Sequence, residues 1–220
     1  MTLTVADDGG TVTLRIGDRT LARYRAETAA SRPHFDTLAL PPGADHLAGR
    51  NVALSSPHDH VWHTGLFFCP KLIDGLNAWA PELHAEEGDP YAVGVDDGYE
   101  TTEDSASVAI DQRVSWETDE GERLLDAERS IRVRKPEGGA YLVEWDQRLA
   151  PVGGARRLSS ETRWGHYSGL SLRLARDLTG GTVRLPDVTD PDDGSPPEEA
   201  SGPTGEWCDY SGNVDGRLTY

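Results

Sequence analysis

The chain has little cysteine, little lysine and no long apolar run, and each shortage closes off a class of protein. Cys69 and Cys208 are its only cysteines. Two thiols build neither a disulfide framework nor a thiolate metal site, and both are expected to be reduced and partly buried. Lys71 and Lys135 are its only lysines, and Lys plus Arg total 21 against 38 Asp plus Glu, a formal net charge of −17. Binding to nucleic acid or to an anionic membrane needs clustered cations facing phosphate, so neither is expected as a partner. No apolar run approaches the roughly 18 residues of a membrane span. The start, Met1 to Asp8, has neither the basic nor the apolar region of a secretory signal, and the sequence reads as soluble and cytoplasmic. Also missing are the G-x-S-x-G elbow, the P-loop and the G-x-G-x-x-G turn, so serine hydrolase, kinase and dinucleotide readings lack support.

What is present is period-two alternation without long helical stripes. Thr11 to Gly17 places Val12, Leu14 and Ile16 on one face, Gly17-Asp18 signals a turn, and Leu21 to Arg25 returns as the second arm of a hairpin. Phe35 to Leu40 is a strand stopped by Pro41-Pro42-Gly43. Ser105 to Glu117 is a long strand with Val108, Ile110, Gln112, Val114 and Trp116 of one parity; Leu124 to Arg134 and Ala140 to Ala150 read as antiparallel partners across a Gly-rich break. Leu170 to Leu174 and Thr182 to Leu185 are shorter strands. Alternating strands with charged outer faces predict an all-β antiparallel sandwich. It is expected as one domain over residues 1–220, with 187–203, rich in Pro, Asp, Glu and Gly, as a mobile loop or insertion.

Three groups of residues carry candidate chemistry. In Ser56-Pro57-His58-Asp59-His60-Val61-Trp62-His63, three of the seven histidines fall within six residues. Imidazole titrates near neutrality and ligates metals, and Trp62 offers a flat apolar face to a ring. In a strand His58, His60 and Trp62 share a face and His63 does not. The spacing of His58, His60 and His63 allows two or three nitrogen ligands, but the glutamate that a cupin would place nearby is missing. The second group runs from Glu161 to Leu170: Glu161 as a base, His166 as an acid or substrate contact, and Arg173 as a cation inside an apolar strand that needs a partner. The third is Trp207 with Asp209, an aromatic platform beside a carboxylate, as used to hold a sugar.

Arg32-Pro33-His34-Phe35, Asp59-His60-x-x-His63-x-Gly65-Leu66-Phe67-Phe68, Gly169-Leu170-Ser171-Leu172-Arg173 and Trp207-x-Asp209-Tyr210-Ser211-Gly212, in that order, resemble the bacterial PmoA-like family of unknown function, also described as "methane oxygenase PmoA". The resemblance implies a galactose-mutarotase-like supersandwich and a setting in carbohydrate metabolism. It also implies Arg32, His60, His63, Arg173, Trp207 and Asp209 as site residues. The sequence departs from the family at Val61-Trp62, where relatives carry Pro-His, and His58 would then stand in for the lost histidine. Relatives also continue with further strands, so the expectation is that either the chain is truncated at Tyr220 or this member has lost strands.

The resulting expectation is a carbohydrate-active protein working by acid–base chemistry on a sugar ring, of epimerase or mutarotase, lyase or hydrolase type. His60, His63, Asp209 and Glu161 are the catalytic candidates; Arg32, Trp62, His166, Arg173 and Trp207 are the substrate contacts. No cofactor is expected. Two other readings remain open: a non-catalytic carbohydrate-binding module, and a metal-dependent oxygenase or lyase holding its ion through His58, His60 and His63.

Overall fold

The computed structural model describes residues 2–27, 32–44, 47–54, 61–162, 165–175, 182–184, 186, 206–214 and 217–219. Strands β1 (Leu3–Asp7), β2 (Thr11–Ile16), β3 (Arg19–Arg25) and β4 (His34–Leu38) each pair antiparallel with the next, and β5 (Leu66–Cys69) pairs with β4. The two-residue turn between β2 and β3 is Gly17-Asp18, with Gly17 at φ 57°, as tight hairpins require. A second tight hairpin joins β6 (Leu72–Ile73) to β7 (Leu76–Asn77) through Asp74 and Gly75, at φ 51° and 88°. That turn returns the chain so that the Ala78 amide donates to the Lys71 carbonyl at 3.1 Å. Helix α1 (Pro81–Glu87) follows, with Pro81 in its first turn and a left-handed Gly88 closing it.

Strands β8 (Ala92–Glu103), β9 (Ser107–Thr118), β10 (Arg123–Arg134) and β11 (Val143–Pro151) form a four-stranded meander. Short β12 (Leu158–Ser159) pairs with β6, and β13 (Glu161–Thr162) with β14 (Gly165–His166). Strand β15 (Gly169–Leu172) then adds to β5, giving the first sheet the order β1-β2-β3-β4-β5-β15. Strands β16 (Thr182–Arg184), β17 (Asp209–Val214) and β18 (Arg217–Thr219) make a three-stranded sheet of their own.

The six-stranded and four-stranded sheets face each other. Val12, Leu14, Tyr24 and Phe35 from one meet Val108, Ile110, Ile131 and Val133 from the other. A second cluster joins Phe67 and Cys69 of β5 to Val114, Trp116, Leu125 and Ala127. Residues of one parity fill this interface because successive strand side chains point to opposite faces. A polar belt crosses it: the Tyr24 hydroxyl donates to Gln112 Oε1 and accepts from Arg129 Nη1 at 3.0 Å, and Gln112 Nε2 donates to Asp96 at 2.6 Å. The protein is thus an all-β antiparallel sandwich with one short helix among the described residues. None of its described helices is long and apolar enough to cross a membrane.

The strands read from periodicity lie where expected, within a few residues. Periodicity gives no sign of the long strand β8. Its Asp-, Gly- and Glu-rich sequence hides the alternation, and a bulge between Asp96 and Tyr99, with Gly98 at φ 105°, breaks its period. Residues 187–203 lie outside the described residues, as do His58, His60 and Tyr220.

Candidate functional site

The site is built where β5 leaves the histidine-bearing loop. Gly65 sits at φ 58°, and a Cβ there would lie 1.8 Å from the Phe35 carbonyl oxygen, so only glycine lets the loop press onto β4. Its amide donates to Leu54 at 3.0 Å, and its carbonyl accepts from the Arg173 amide at 2.8 Å. These two bonds pin the end of β15 against the start of β5. As a result Arg173 Nη1 comes 3.2 Å from Nδ1 of His63. The other ring nitrogen, Nε2, accepts from the Trp79 indole N–H. Trp62 lies in a turn rather than a strand, so the strand alternation expected for the histidine run does not govern it.

Aromatic rings wall the imidazole. Phe67 stacks on His63 at 6.4 Å, Trp62 and Trp79 meet it edge-on at 6.1 and 5.6 Å, and Tyr167 packs on Trp79 at 4.9 Å. Arg32 is buried beneath them. Its Nη2 donates to the Trp79 carbonyl at 2.7 Å, its Nη1 to the Trp62 carbonyl at 3.3 Å, and its guanidinium lies 4.9 Å over the Phe67 ring. Through these bonds Arg32 ties together the two backbone segments that present Trp62 and Trp79. Beyond Tyr167 lies Lys71, only 3% exposed. Its Nζ donates to the Tyr167 hydroxyl at 2.7 Å and sits 4.1 Å from that ring and 5.7 Å from Trp79. Its amide donates to Ser168 Oγ at 3.0 Å.

Trp79 and Arg173 can only donate hydrogen bonds. A neutral imidazole accepts at only one nitrogen, so the Trp79 indole and the Arg173 guanidinium compete for the lone pair of His63 and together fix the orientation of its ring. Three other groups, His84, Glu87 and Asp89, lie within 4.8 Å of one another among the described residues, but they are partly or fully exposed, and His84 Nε2 is 2.9 Å from the Asn77 amide nitrogen.

Asp209 pairs with Arg184 at 3.2 Å on the sheet of β16, β17 and β18, where the neighbouring Tyr210 joins a small apolar cluster with Leu174, and Trp207 precedes β17 with 51% of its surface exposed. Glu161 and His166 sit in β13 and β14 with their backbones paired. Sequence reasoning missed Trp79, Lys71, Tyr167 as the partner of Lys71, and Glu82, whose Oε2 is buried with no hydrogen-bond partner. The rarity of lysine was the one signal that pointed to Lys71. Nothing local marked Trp79, which lies between a tight hairpin and a short helix.

A concavity of about 730 Å³ lies elsewhere, over the four-stranded sheet. Exposed Glu100, Asp111, Arg113, Glu128, Asp146 and Arg148 line it with both signs of charge. Tyr99 and the buried Gln112 and Arg129 also line it, but such a mixture of exposed charges is what a solvated sheet face carries. The His63 cluster has both walls and converging polar groups, and is the better candidate.

The model of the family of unknown function DUF6807 matches residues 11–219, and the chain belongs to that family. No curated protein and no solved structure matches it.

Proposed function

We propose that this member of the DUF6807 family is a carbohydrate-active enzyme that performs acid–base chemistry on a sugar ring at the His63 site. One observation supports the reading: His63 Nδ1 and the Arg173 guanidinium meet at 3.2 Å beside the Trp62, Phe67 and Trp79 rings, with Tyr167 packed on Trp79. Aromatic faces cover the C–H face of a pyranose, and a positioned donor polarises a ring, hydroxyl or carbonyl oxygen. In this reading His63 acts as a neutral electrophile, and the proton acceptor is a carboxylate. Glu161 and Asp209 are the carboxylates that the sequence offers for that role, and the Arg184 pairing of Asp209 speaks against the second. The likeness of the four sequence motifs to the PmoA-like family supports the same setting, with a small-molecule carbohydrate as partner and the cytoplasm as the place of work. The exposed Trp207 beside Asp209 favours one second reading, a surface platform that only holds sugar.

The test is a panel of aldoses, ketoses and uronates incubated with purified protein. Anomeric and epimeric interconversion is followed by nuclear magnetic resonance and unsaturated products by ultraviolet absorbance. His63→Ala should lower turnover by about 10²–10⁴-fold, the usual cost of removing a positioned acid–base or polarising group, with the circular dichroism spectrum unchanged. Binding without turnover would leave the platform reading. Full activity in His63→Ala would remove the site.

A further inference from the structure

We propose that the sugar taken by this site carries a carboxylate, and that Lys71 with Tyr167 is the subsite that receives it. This rests on the carbohydrate reading above and narrows it to acidic sugars. The starting point is the burial of Lys71. In a chain with two lysines and 38 acidic residues, one lysine is 3% exposed and has no carboxylate of the described residues within ion-pair distance. An ammonium has three hydrogens to donate. The Tyr167 hydroxyl accepts one at 2.7 Å, and two aromatic faces lie within 5.7 Å. Glu82, a nearby acid with a buried oxygen that has no hydrogen-bond partner, forms no ion pair with it.

A buried cation without a counter-ion is costly to fold around, and the cation–π contacts offset only part of that cost. An arrangement of this kind is retained where a ligand brings the missing charge. Since Lys71 donates to the phenol oxygen, the phenol hydrogen is left to donate to another acceptor. The ammonium and the phenol therefore offer two donors 2.7 Å apart, a spacing matched to the two oxygens of one carboxylate. A phosphate fits less well. Phosphate sites recruit helix N-terminal amides or several arginines, and a doubly charged group is harder to bring to a molecule of net charge −17. The subsite adjoins the His63 site through Trp79, which touches Lys71 with its ring and His63 with its indole N–H.

The experiment measures binding of glucuronate, galacturonate, glucose, galactose, glucose 6-phosphate and acetate to the full chain by calorimetry, with melting temperatures in parallel. The uronates should bind more tightly than their neutral counterparts. Lys71→Met should weaken the uronates by about 10–100-fold, the worth of a charge-assisted hydrogen bond, and leave neutral sugars unchanged. The unliganded Lys71→Met protein should melt no lower than the parent, because an uncompensated buried charge has gone; a purely structural cation–π lysine would instead lower the melting temperature and leave the sugar preference intact. Tyr167→Phe, which keeps the ring, should also reduce the preference for the acid. Uronates bound no better than neutral sugars, or glucose 6-phosphate bound best, overturn the carboxylate subsite and leave the carbohydrate reading standing. Acetate bound as tightly as uronate, with no neutral sugar bound, keeps the subsite and overturns the carbohydrate reading.

Discussion

Cys69 and Cys208 show how far surroundings, rather than identity, set the behaviour of a residue. Cys69 is buried in the second core cluster, where its Sγ lies 3.1 Å from both the Pro70 and Ala78 carbonyls. Burial pushes its thiol up to about 11, against the opposing pull of the Arg32, Lys71 and Arg129 charges. The thiolate is the reactive form, so Cys69 should be inert at pH 8. Cys208 is exposed. Iodoacetamide followed by mass spectrometry should label Cys208 in the native protein and Cys69 only after denaturation. Rapid native labelling of Cys69 would show that the Lys71 and Trp79 region opens.

At the scale of elements, the β3–β4 pair is fastened by one carboxylate. Arg23 Nε and Arg25 Nε, two residues apart on β3, each donate to Asp36 at 2.7 Å, and the Thr37 hydroxyl adds a third bond at 2.9 Å. Burial alone would raise the Asp36 pKa. The hydrogen bonds from Arg23, Arg25 and Thr37 overcome it and hold the carboxyl below its usual range. A depressed carboxylate pKa contributes stability that is present above the unfolded value, near 3.9, and is lost as pH falls through the folded value. Asp36→Asn should therefore cost stability at pH 7 and cost progressively less as pH falls below about 4. The expected loss at pH 7 is about 1 kcal/mol, reduced by screening because both arginine side chains are 38% exposed. Urea unfolding at a series of pH values checks both sign and size. The pair also positions the site, because β4 is the strand that Gly65 presses against.

For the whole molecule, the excess of negative charge has the widest reach. A net −17 repels itself in the compact state, and salt screens that repulsion over about 10 Å at 0.1 M. Raising sodium chloride from low concentration to a few tenths molar should raise the melting temperature by several degrees, whereas an equal osmolality of a neutral osmolyte should give a smaller rise. No salt effect would mean that the acidic residues are already compensated by the Arg23, Arg25, Arg123, Arg134 and Arg156 pairs. The same negative field disfavours anions in general, so the acidic-sugar preference proposed above depends on local donors.

Some of this was legible in the residues alone. Val12, Leu14 and Ile16, or Val108, Ile110 and Val114, alternate because a strand turns its side chains up and down with period two, and the same rule holds wherever the strand ends up. Gly17-Asp18 marks a hairpin because tight turns need positive φ. These effects act over a few residues, and they specify an antiparallel sandwich. The nearness of His63 to Arg173 is another matter, since 110 positions separate the two. Likewise 96 positions separate Lys71 from Tyr167. Those meetings follow from β15 adding to the open edge of β5, which hydrogen bonds across the whole sheet order select. The pairing of Asp209 with Arg184, 25 positions apart, has the same origin. Local sterics and hydrophobic period decided the layers; the order of the strands, a long-range choice made by packing and edge pairing, decided which side chains share a site.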